Sequence, residues 1–338
     1  MQLSSMHIGF RMARLPDCLR AGILLALCCL SARAQKSPSA SQGTDGSTTW
    51  VDNTSGPFFT GTADVMPPGS FYIEGYYFNY RTRGSANTTL PLKAAYGIGH
   101  HLELDAYTAF EYVGAGGIDG TSFQFGDTVP QVKLQLVKEK DRYHLWRMPS
   151  LGVSVDVNIP TGHLQSAKPN LAGGAQTTND TWNEQVNLLA RKQFKPFELY
   201  LELSEIVQNP VNVVGPYQFD NGLTNVSPGT PYHVVDGNVV SAAGAFEHVL
   251  RPKSGLGYLL EFNGERQTTQ SLFFGSATAP SFSYFEINPE IEYTRPSGGK
   301  FPITWAAGVG FTAARSGYPR QLIPMFTVTL NGDLHGGR

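Results

Sequence analysis

Charged side chains recur at every second position along several stretches of this 338-residue chain. Where such side chains meet on one face of a fold, they form rings that attract counter-ions or pairs that neutralise each other. Acids outnumber bases by eleven to three in the set. Its members are Lys93, Glu103, Asp105, Glu111, Lys133, Asp156, Arg191, Glu198, Glu202, Glu261, Glu265, Glu286, Glu290 and Glu292. Both alternatives stay open: an aqueous lining that disfavours anions, or a closed interior in which the charges pair.

Histidines and glycine motifs predict no further chemistry. His100 and His101 are adjacent, so on a strand they would point to opposite faces and could not bind one ion together. Four other histidines are scattered without metal-ligand spacing: His144, His163, His233 and His248. Gly308–Ala313 resembles a dinucleotide-binding turn but lies in a strand pattern and opens no helix. The sequence therefore predicts no catalytic residue, no metal site and no cofactor.

The elements that carry the charged residues are predicted to be β-strands. In Leu151–Ile159 every odd position is aliphatic and every even one is small, polar or charged, which is the period-2 pattern of a strand with one apolar face. Twelve strands are predicted, at 70–80, 89–98, 100–112, 127–139, 149–160, 182–194, 197–208, 236–249, 256–267, 283–295, 301–314 and 320–331. We expect local bulges at Pro289 and Pro324, since proline cannot donate to a ladder.

The connections alternate between brief turns and long gaps. The long gaps fall at 113–126, 161–181, 209–235 and 268–282. Strands of about ten residues, short turns on one side and long loops on the other are typical of outer-membrane barrels. Charged faces turned to lipid would cost about 2–4 kcal/mol for a basic residue at mid-bilayer, so we predict that they face the lumen. The fold class is thus all-β, an antiparallel up-and-down transmembrane β-barrel of about 12 strands; a soluble sandwich or propeller is less favoured.

The chain begins with the pattern of a cleavable signal peptide, residues 1–34. Basic residues precede the apolar run 21–30, and Ala32-Arg33-Ala34 predicts cleavage before the next residue. The run is too short to cross a bilayer, which needs about 20 apolar residues. Residues 35–69, rich in Ser, Thr, Gly and Pro, are predicted to be a flexible periplasmic segment. The barrel would follow at 70–331, with a short tail at 332–338.

The composition restricts the classes of partner that the protein is expected to bind. Removing residues 1–34 takes away four arginines and one aspartate, so 25 bases and 27 acids become 21 and 26, a net charge of −5. This balance argues against a nucleic-acid partner. All three cysteines lie in the segment to be removed, so no disulfide is predicted. The expected partners are outer-membrane lipids, the barrel-assembly machinery and small solutes; no oligomeric state is specified.

Phe125–Lys133, followed by Leu151–Ile159 and Pro160-Thr161-Gly162, resembles the outer-membrane proteins grouped as the "MetA-pathway of phenol degradation" family. The likeness in strand layout covers about residues 60–331, and the motif spans 125–162. It implies a channel-like barrel, sometimes associated with uptake of aromatic or other hydrophobic compounds. Gly126-Asp127 would begin a strand at the outer rim, and Pro160-Thr161-Gly162 would end its partner there. Lys133 is expected to pair with acids such as Asp156.

The leading hypothesis is an outer-membrane barrel of a diderm bacterium that admits small solutes passively and is not an enzyme. The alternative is a closed structural or surface-interaction barrel that functions through loops 161–181 and 209–235. An outer-membrane hydrolase is the least favoured, because no local motif marks a catalytic set.

Overall fold

The computed structural model describes residues 57–83, 85–113, 122–139, 148–162, 181–194, 197–214, 231–235, 237–251, 255–268, 271–273, 278–279, 281–295 and 303–333. These residues belong to one structural unit, Thr49–Arg338. Several features predicted from the sequence lie outside the described residues. They are the signal peptide, residues 35–56, much of the long loops, His144, His163, and the tail from residue 334.

Alternating apolar and polar residues form the strands. In chain order they are β1 (Ser70–Thr82), β2 (Ser85–Gly97), β3 (Leu102–Val113), β4 (Ser122–Val137), β5 (Ser150–Asn158), β6 (Asn183–Phe194), β7 (Phe197–Gln208), β8 (Val211–Val214), β9 (Pro231–Val235), β10 (Val239–Arg251), β11 (Leu256–Gln267), β12 (Ser271–Phe273), β13 (Thr278–Ala279), β14 (Ser283–Thr294), β15 (Ile303–Ser316) and β16 (Leu322–Asp333). Among the described residues, twelve of them close into an antiparallel barrel in the order β1–β16–β15–β14–β11–β10–β7–β6–β5–β4–β3–β2. The remaining four, β8, β9, β12 and β13, form a separate small sheet.

The predicted fold class and the twelve predicted strands are confirmed, with bounds that differ by a few residues. The four short strands were missed because they are only two to five residues long, too short to show a period. No helix in the described part of the chain is long and apolar enough to cross a membrane.

The bulges predicted at Pro289 and Pro324 are wrong. The β11–β14 register continues unchanged through Pro289, and the β15–β16 register through Pro324. On its other side each proline has no ladder partner: Pro289 is unpaired toward β15, and Pro324 is unpaired toward β1. The missing N–H of proline therefore interrupts no ladder hydrogen bond. The β14–β15 irregularity lies instead at Phe285/Glu286.

The wall has an apolar outer face and a polar inner face. On β7, for example, Leu199, Leu201 and Leu203 are exposed, whereas Glu198 and Ser204 on the alternate positions are buried. Because one wall closes on itself, the buried set faces the interior. The same arrangement holds around the barrel and gives it the apolar exterior that a lipid environment requires.

Residues 57–69 differ from the expectation of a flexible periplasmic segment. Their backbone N–H groups donate to glutamates on β11, β7 and β3. In the ring order β11 and β3 are six strands apart, on opposite sides of the barrel. Pro57–Gly69, the inner segment from here on, therefore crosses the bore. Its residues show no period because they pair with side chains and not with a ladder.

Candidate functional site

Three consecutive N–H groups of the inner segment share one wall carboxylate. Phe58 N donates to Glu261 Oε2 at 3.0 Å, and the N–H groups of Phe59 and Thr60 donate to Glu261 Oε1 at 3.1 Å each. An ionised carboxylate only accepts hydrogen bonds, so it suits a run of backbone donors that have no ladder partner. Glu261, fully buried on β11, thus fastens the start of the inner segment to the wall.

The rest of the inner segment is held by two more wall glutamates. Gly61 N donates to Glu202 Oε2 on β7 at 2.5 Å. Met66 N donates to Glu103 Oε2 on β3. Hydrogen bonds to charged acceptors are stronger than those between neutral groups, so these anchors outweigh ordinary loop contacts.

Asp64 gives the inner segment its own ionic contact with the wall. Gln135 Nε2 donates to Asp64 Oδ1 at 2.6 Å, and Arg191 Nη1 forms an ion pair with Asp64 Oδ2. Arg191 also binds Glu198, through Nε at 2.8 Å and Nη2 at 2.6 Å. The guanidinium therefore bridges a wall acid and a segment acid, and its single positive charge is shared between the two carboxylates.

Sterically, the inner segment is in closest contact with the wall at Gly97. A Cβ placed on Gly97 would lie 2.2 Å from the carbonyl oxygen of Pro67, and Gly69 N donates to Gly97 O at 2.9 Å. Gly69 itself has φ of 83°, a left-handed conformation that favours glycine. The path of the segment at this rim depends on a residue without a side chain.

Aromatic residues cover the other end of the inner segment. Phe58 and Phe59 pack on Phe78 of β1 at ring-centroid distances of 5.9 and 5.3 Å. Phe78 is buried together with Ile323 and Met325 of β16. This aromatic cluster is an apolar part of the interior, and Phe58 and Phe59 pack against it.

A cavity of about 590 Å³ remains between the inner segment and the wall. Six of the predicted residues line it: Lys93, Glu103, Lys133, Asp156, Arg191 and Glu202. The others in the described part of the chain are buried elsewhere in the interior: Asp105, Glu198, Glu261, Glu286, Glu290 and Glu292. Glu265 is half-buried, and the side chain of Glu111 lies outside the described residues. The predicted set is thus divided between a cavity face and a closed face.

The predicted pairing of Lys133 with Asp156 is wrong. Lys133 Nζ lies 2.5 Å from Glu103 Oε1, on the strand opposite it in register. Asp156 is bound by neutral donors instead, Gln131 Nε2 at 2.7 Å and Asn187 Nδ2 at 3.1 Å. Asp156 consequently keeps its charge uncompensated by an ion pair among the described residues.

Lys93 is the most accessible base of the cavity. Its Nζ lies 3.7 Å from Asp105 Oδ2, and it stands over the ring of Tyr72 at 5.7 Å. The Lys93 side chain keeps 26% of its surface exposed, whereas that of Asp105 is fully buried. Lys93 is therefore the base that a solute in the cavity would meet first.

Three glutamates of the closed face lie on β14. Glu286 accepts from Asn263 Nδ2 at 3.3 Å and from Thr312 Oγ1 at 3.4 Å. Glu290 and Glu292 are buried, and their carboxylate oxygens have no hydrogen-bond partner in the described part of the chain. None of these three side chains lines the cavity.

Sequence reasoning missed two interior acids, Glu74 and Glu247. Glu74 accepts from Thr329 Oγ1 at 2.7 Å, and Glu247 accepts from Tyr200 OH at 2.8 Å. Around Glu74 both faces of β1 carry large aromatic residues, which hides the period. Around Glu247 the inward positions are alanines and a serine, so only the alternation of small with larger residues marks that face.

The motif that suggested a family forms a clasp at one rim. Asp127 Oδ2 accepts from Asn158 Nδ2 at 2.7 Å, and Asp127 Oδ1 accepts from Gly162 N at 3.0 Å. Thr128 and Thr161 hydroxyls lie 2.9 Å apart. The carboxylate holds the strand end in place, which explains the aspartate of the motif.

Histidines supply no metal site in the part of the chain that the structure describes, where no group of three or more His, Cys, Asp or Glu residues could hold an ion. His100 and His101 lie in the turn after β2 and not on a strand. His233 is near Asn212 in the small sheet, with Nδ1 2.9 Å from Asn212 Oδ1. His248 stacks on Phe197 at 4.6 Å.

Comparisons with known proteins rest on structure alone. No family model matches the chain, and no curated protein sequence matches it. The crystal structure of the COG4313 outer membrane channel from Pseudomonas putida F1 matches with a TM-score of 0.61 and 12% identity, over 80% of this chain and 98% of that chain. The NanC porin matches at 0.43 and 10%, over 78% and 100% of the two chains. The KdgM porin in complex with disordered oligogalacturonate matches at 0.41 and 8%, over 78% and 99%.

The first of these likenesses shows the fold, and the two porins match too loosely to support an argument. Within the residues that the structure describes, the chain is a closed, twelve-stranded antiparallel barrel, and its fold is similar to that of the outer membrane channel.

Proposed function

We propose that this chain is an outer-membrane channel that admits small solutes passively along the cavity beside the inner segment. The observation that carries the proposal is the cavity itself: about 590 Å³ of space inside a closed wall with an apolar exterior. In this proposal residues 1–34 are the cleaved signal peptide, and the barrel-assembly machinery of a diderm bacterium inserts the chain. The MetA-pathway family stays part of the proposal, supported by the rim clasp at Asp127.

The charged side chains that line the cavity determine which class of solute it favours. Among the cavity acids, Glu103 is paired with Lys133, whereas Asp156 and Glu202 are bound only by neutral donors. Lys93 lines the same cavity, but its charge is shared with Asp105. The cavity lining therefore favours cations over anions. Aromatic or hydrophobic solutes would meet the Phe58 and Phe59 rings at the apolar end.

The second candidate is a closed barrel that acts through its outer loops. The inner segment supports it, since the segment crosses the bore and is fastened to both sides by Glu261 and Glu103. In this case the interior charges serve to hold the segment, and loops 161–181 and 209–235 would make the contacts with a partner.

Refolding and flux distinguish the candidates. The chain is refolded into detergent micelles, tested for heat-modifiable migration, and reconstituted in liposomes loaded for swelling assays and in planar bilayers. Flux with a reversal potential on the cation side supports the channel, and in that case Asp156→Asn with Glu202→Gln should move the reversal potential toward zero. A heat-modifiable barrel without flux supports the closed alternative. A soluble monomer in plain buffer contradicts both.

A further inference from the structure

One sector of the wall lacks acidic residues almost entirely. No aspartate or glutamate occurs in residues 75–102 or in residues 293–332. These stretches supply most of β1, all of β2 and β15, and β16 up to its last residue, and the four strands are consecutive in the barrel. The acids of the chain are thus concentrated in the remaining sectors.

Four arginines gather at one end of this sector, the end that also carries the Asp127 clasp. Arg81 and Arg83 lie at the β1–β2 turn, and Arg315 and Arg320 lie at the β15–β16 turn. All four are exposed. The two hairpins are neighbours because β1 pairs with β16, with Arg81 opposite Leu322. We call these residues the arginine rim.

The arginine rim is ordered but not neutralised. Arg81 Nε donates to Asn79 Oδ1, and Asn79 Nδ2 donates in turn to Thr88 Oγ1 at 2.7 Å. Arg315 Nη1 donates to the carbonyl oxygen of Tyr318. In the described part of the chain none of the four forms an ion pair with a carboxylate. Neutral acceptors orient the guanidinium groups of Arg81 and Arg315, and the positive charge of the rim is left for another partner.

An apolar surface lies directly below the arginine rim on the outside of the barrel. Arg81 shares its face of β1 with the exposed side chains of Ile73 and Tyr77, as residues four apart on a strand do. On β16, Leu322 and Phe326 are exposed opposite Arg81 and Tyr77. This surface therefore combines acyl-chain contact with fixed cations at the height where the apolar band ends.

We propose that the arginine rim binds the phosphate groups of a phosphorylated, multiply acylated glycolipid in the outer leaflet, whose acyl chains pack on the β1–β16 surface. The inference rests on the proposed membrane location and not on transport. Arginine suits phosphate because its planar fork makes paired hydrogen bonds to two oxygens. A free anion would use only the guanidinium groups, whereas the acylated ligand also uses the apolar residues below them.

The test measures binding of diphosphorylated lipid A to the full chain refolded in detergent micelles, by native mass spectrometry and by the shift in its heat-modifiability midpoint. Dephosphorylated lipid A and inorganic phosphate are the two other probes. An arginine near an anionic lipid surface contributes about 1 kcal/mol, or about fivefold in affinity, so Arg81→Gln with Arg320→Gln should weaken binding about thirtyfold. Arg295→Gln, an exposed arginine just after β14 at the opposite rim, is the matched control and should bind as the unaltered chain does.

Three results would overturn the inference: unchanged affinity in the double variant, equal binding of the dephosphorylated lipid, or full competition by inorganic phosphate at comparable concentration. A double variant that fails to refold is replaced by the two single variants, each expected to lose about fivefold. Liposome flux is measured on the same samples. Loss of lipid binding with normal flux separates this inference from the channel proposal, and absent flux with normal lipid binding contradicts only the channel.

Discussion

Replacing Glu261 should release the start of the inner segment, Phe58–Thr60, from the wall. Its carboxylate accepts from three consecutive N–H groups, those of Phe58, Phe59 and Thr60. A hydrogen bond to a charged group contributes about 1.5–3 kcal/mol. Because the three bonds share one carboxylate and the released N–H groups are rehydrated, we take about 3 kcal/mol for the set. Glu261→Ala should therefore shift the balance between attached and detached segment about a hundredfold.

Two readouts follow the inner segment independently. Planar-bilayer conductance should rise in the Glu261→Ala variant, since the segment crosses the bore. Chymotrypsin should cleave after Phe58 or Phe59 in the variant while the unaltered chain is protected, because these rings are packed on Phe78 only when the segment is attached. N-terminal sequencing identifies the cut.

The matched control is Glu286→Ala. Glu286 is also a buried interior glutamate, but its carboxylate accepts from the wall residues Asn263 and Thr312. A general loss of stability would affect both variants, whereas release of the segment affects only the first. A Glu261→Ala variant that refolds, conducts as the unaltered chain does and resists chymotrypsin would refute attachment of the inner segment through Glu261.

Three further predictions concern single contacts. Gly97→Val should push the segment from the wall, because a Cβ there meets the Pro67 carbonyl oxygen at 2.2 Å, and raise chymotrypsin cleavage; Gly97→Ser should do so less. Lys133→Met should lower the free energy of unfolding by about 3–5 kcal/mol in urea titrations, because Glu103 then stays buried without its base, and adding Glu103→Gln should recover part of the loss. Asp127→Ala should lower the free energy of unfolding by about 1–3 kcal/mol, because Asn158 Nδ2 and Gly162 N lose their acceptor, and unchanged stability in urea titrations would contradict the clasp.

The strands could be predicted because their signal is local. A period of two over about ten residues can be recognised in the local sequence, as in Leu151–Ile159, without knowledge of distant residues. The same period predicted the interior position of charged residues such as Glu198 and Glu290, which are buried. The ion-pair partner of each charged residue could not be predicted, because alternation gives the face of the strand and not the height of a residue along the barrel axis. Lys133 is opposite Glu103 and Ser154 in register, whereas Asp156 is opposite Gln131, two residues along the strand.

The inner segment could not be predicted for the opposite reason. Its hydrogen bonds to the wall glutamates are distant along the chain: Phe58 and Glu261 are 203 residues apart. Its three prolines and two glycines leave no strand period, as is typical of an irregular segment. What orders it is a set of acceptors on the wall, whose positions in space depend on the closure of the whole barrel. No local pattern in residues 57–69 carries that information.

The excess of interior acids has a second cause once the segment is in place. A chain that crosses the bore without a ladder presents backbone N–H groups that must find acceptors, and acceptor-only carboxylates are the side chains suited to them. Glu261, Glu202 and Glu103 each accept from such a group. Segment N–H groups therefore compensate part of the charge of these carboxylates, which weakens its effect on solutes in the cavity. A count of eleven acids against three bases overstates the field in the cavity, and the selectivity should depend mainly on Asp156, which no segment N–H contacts.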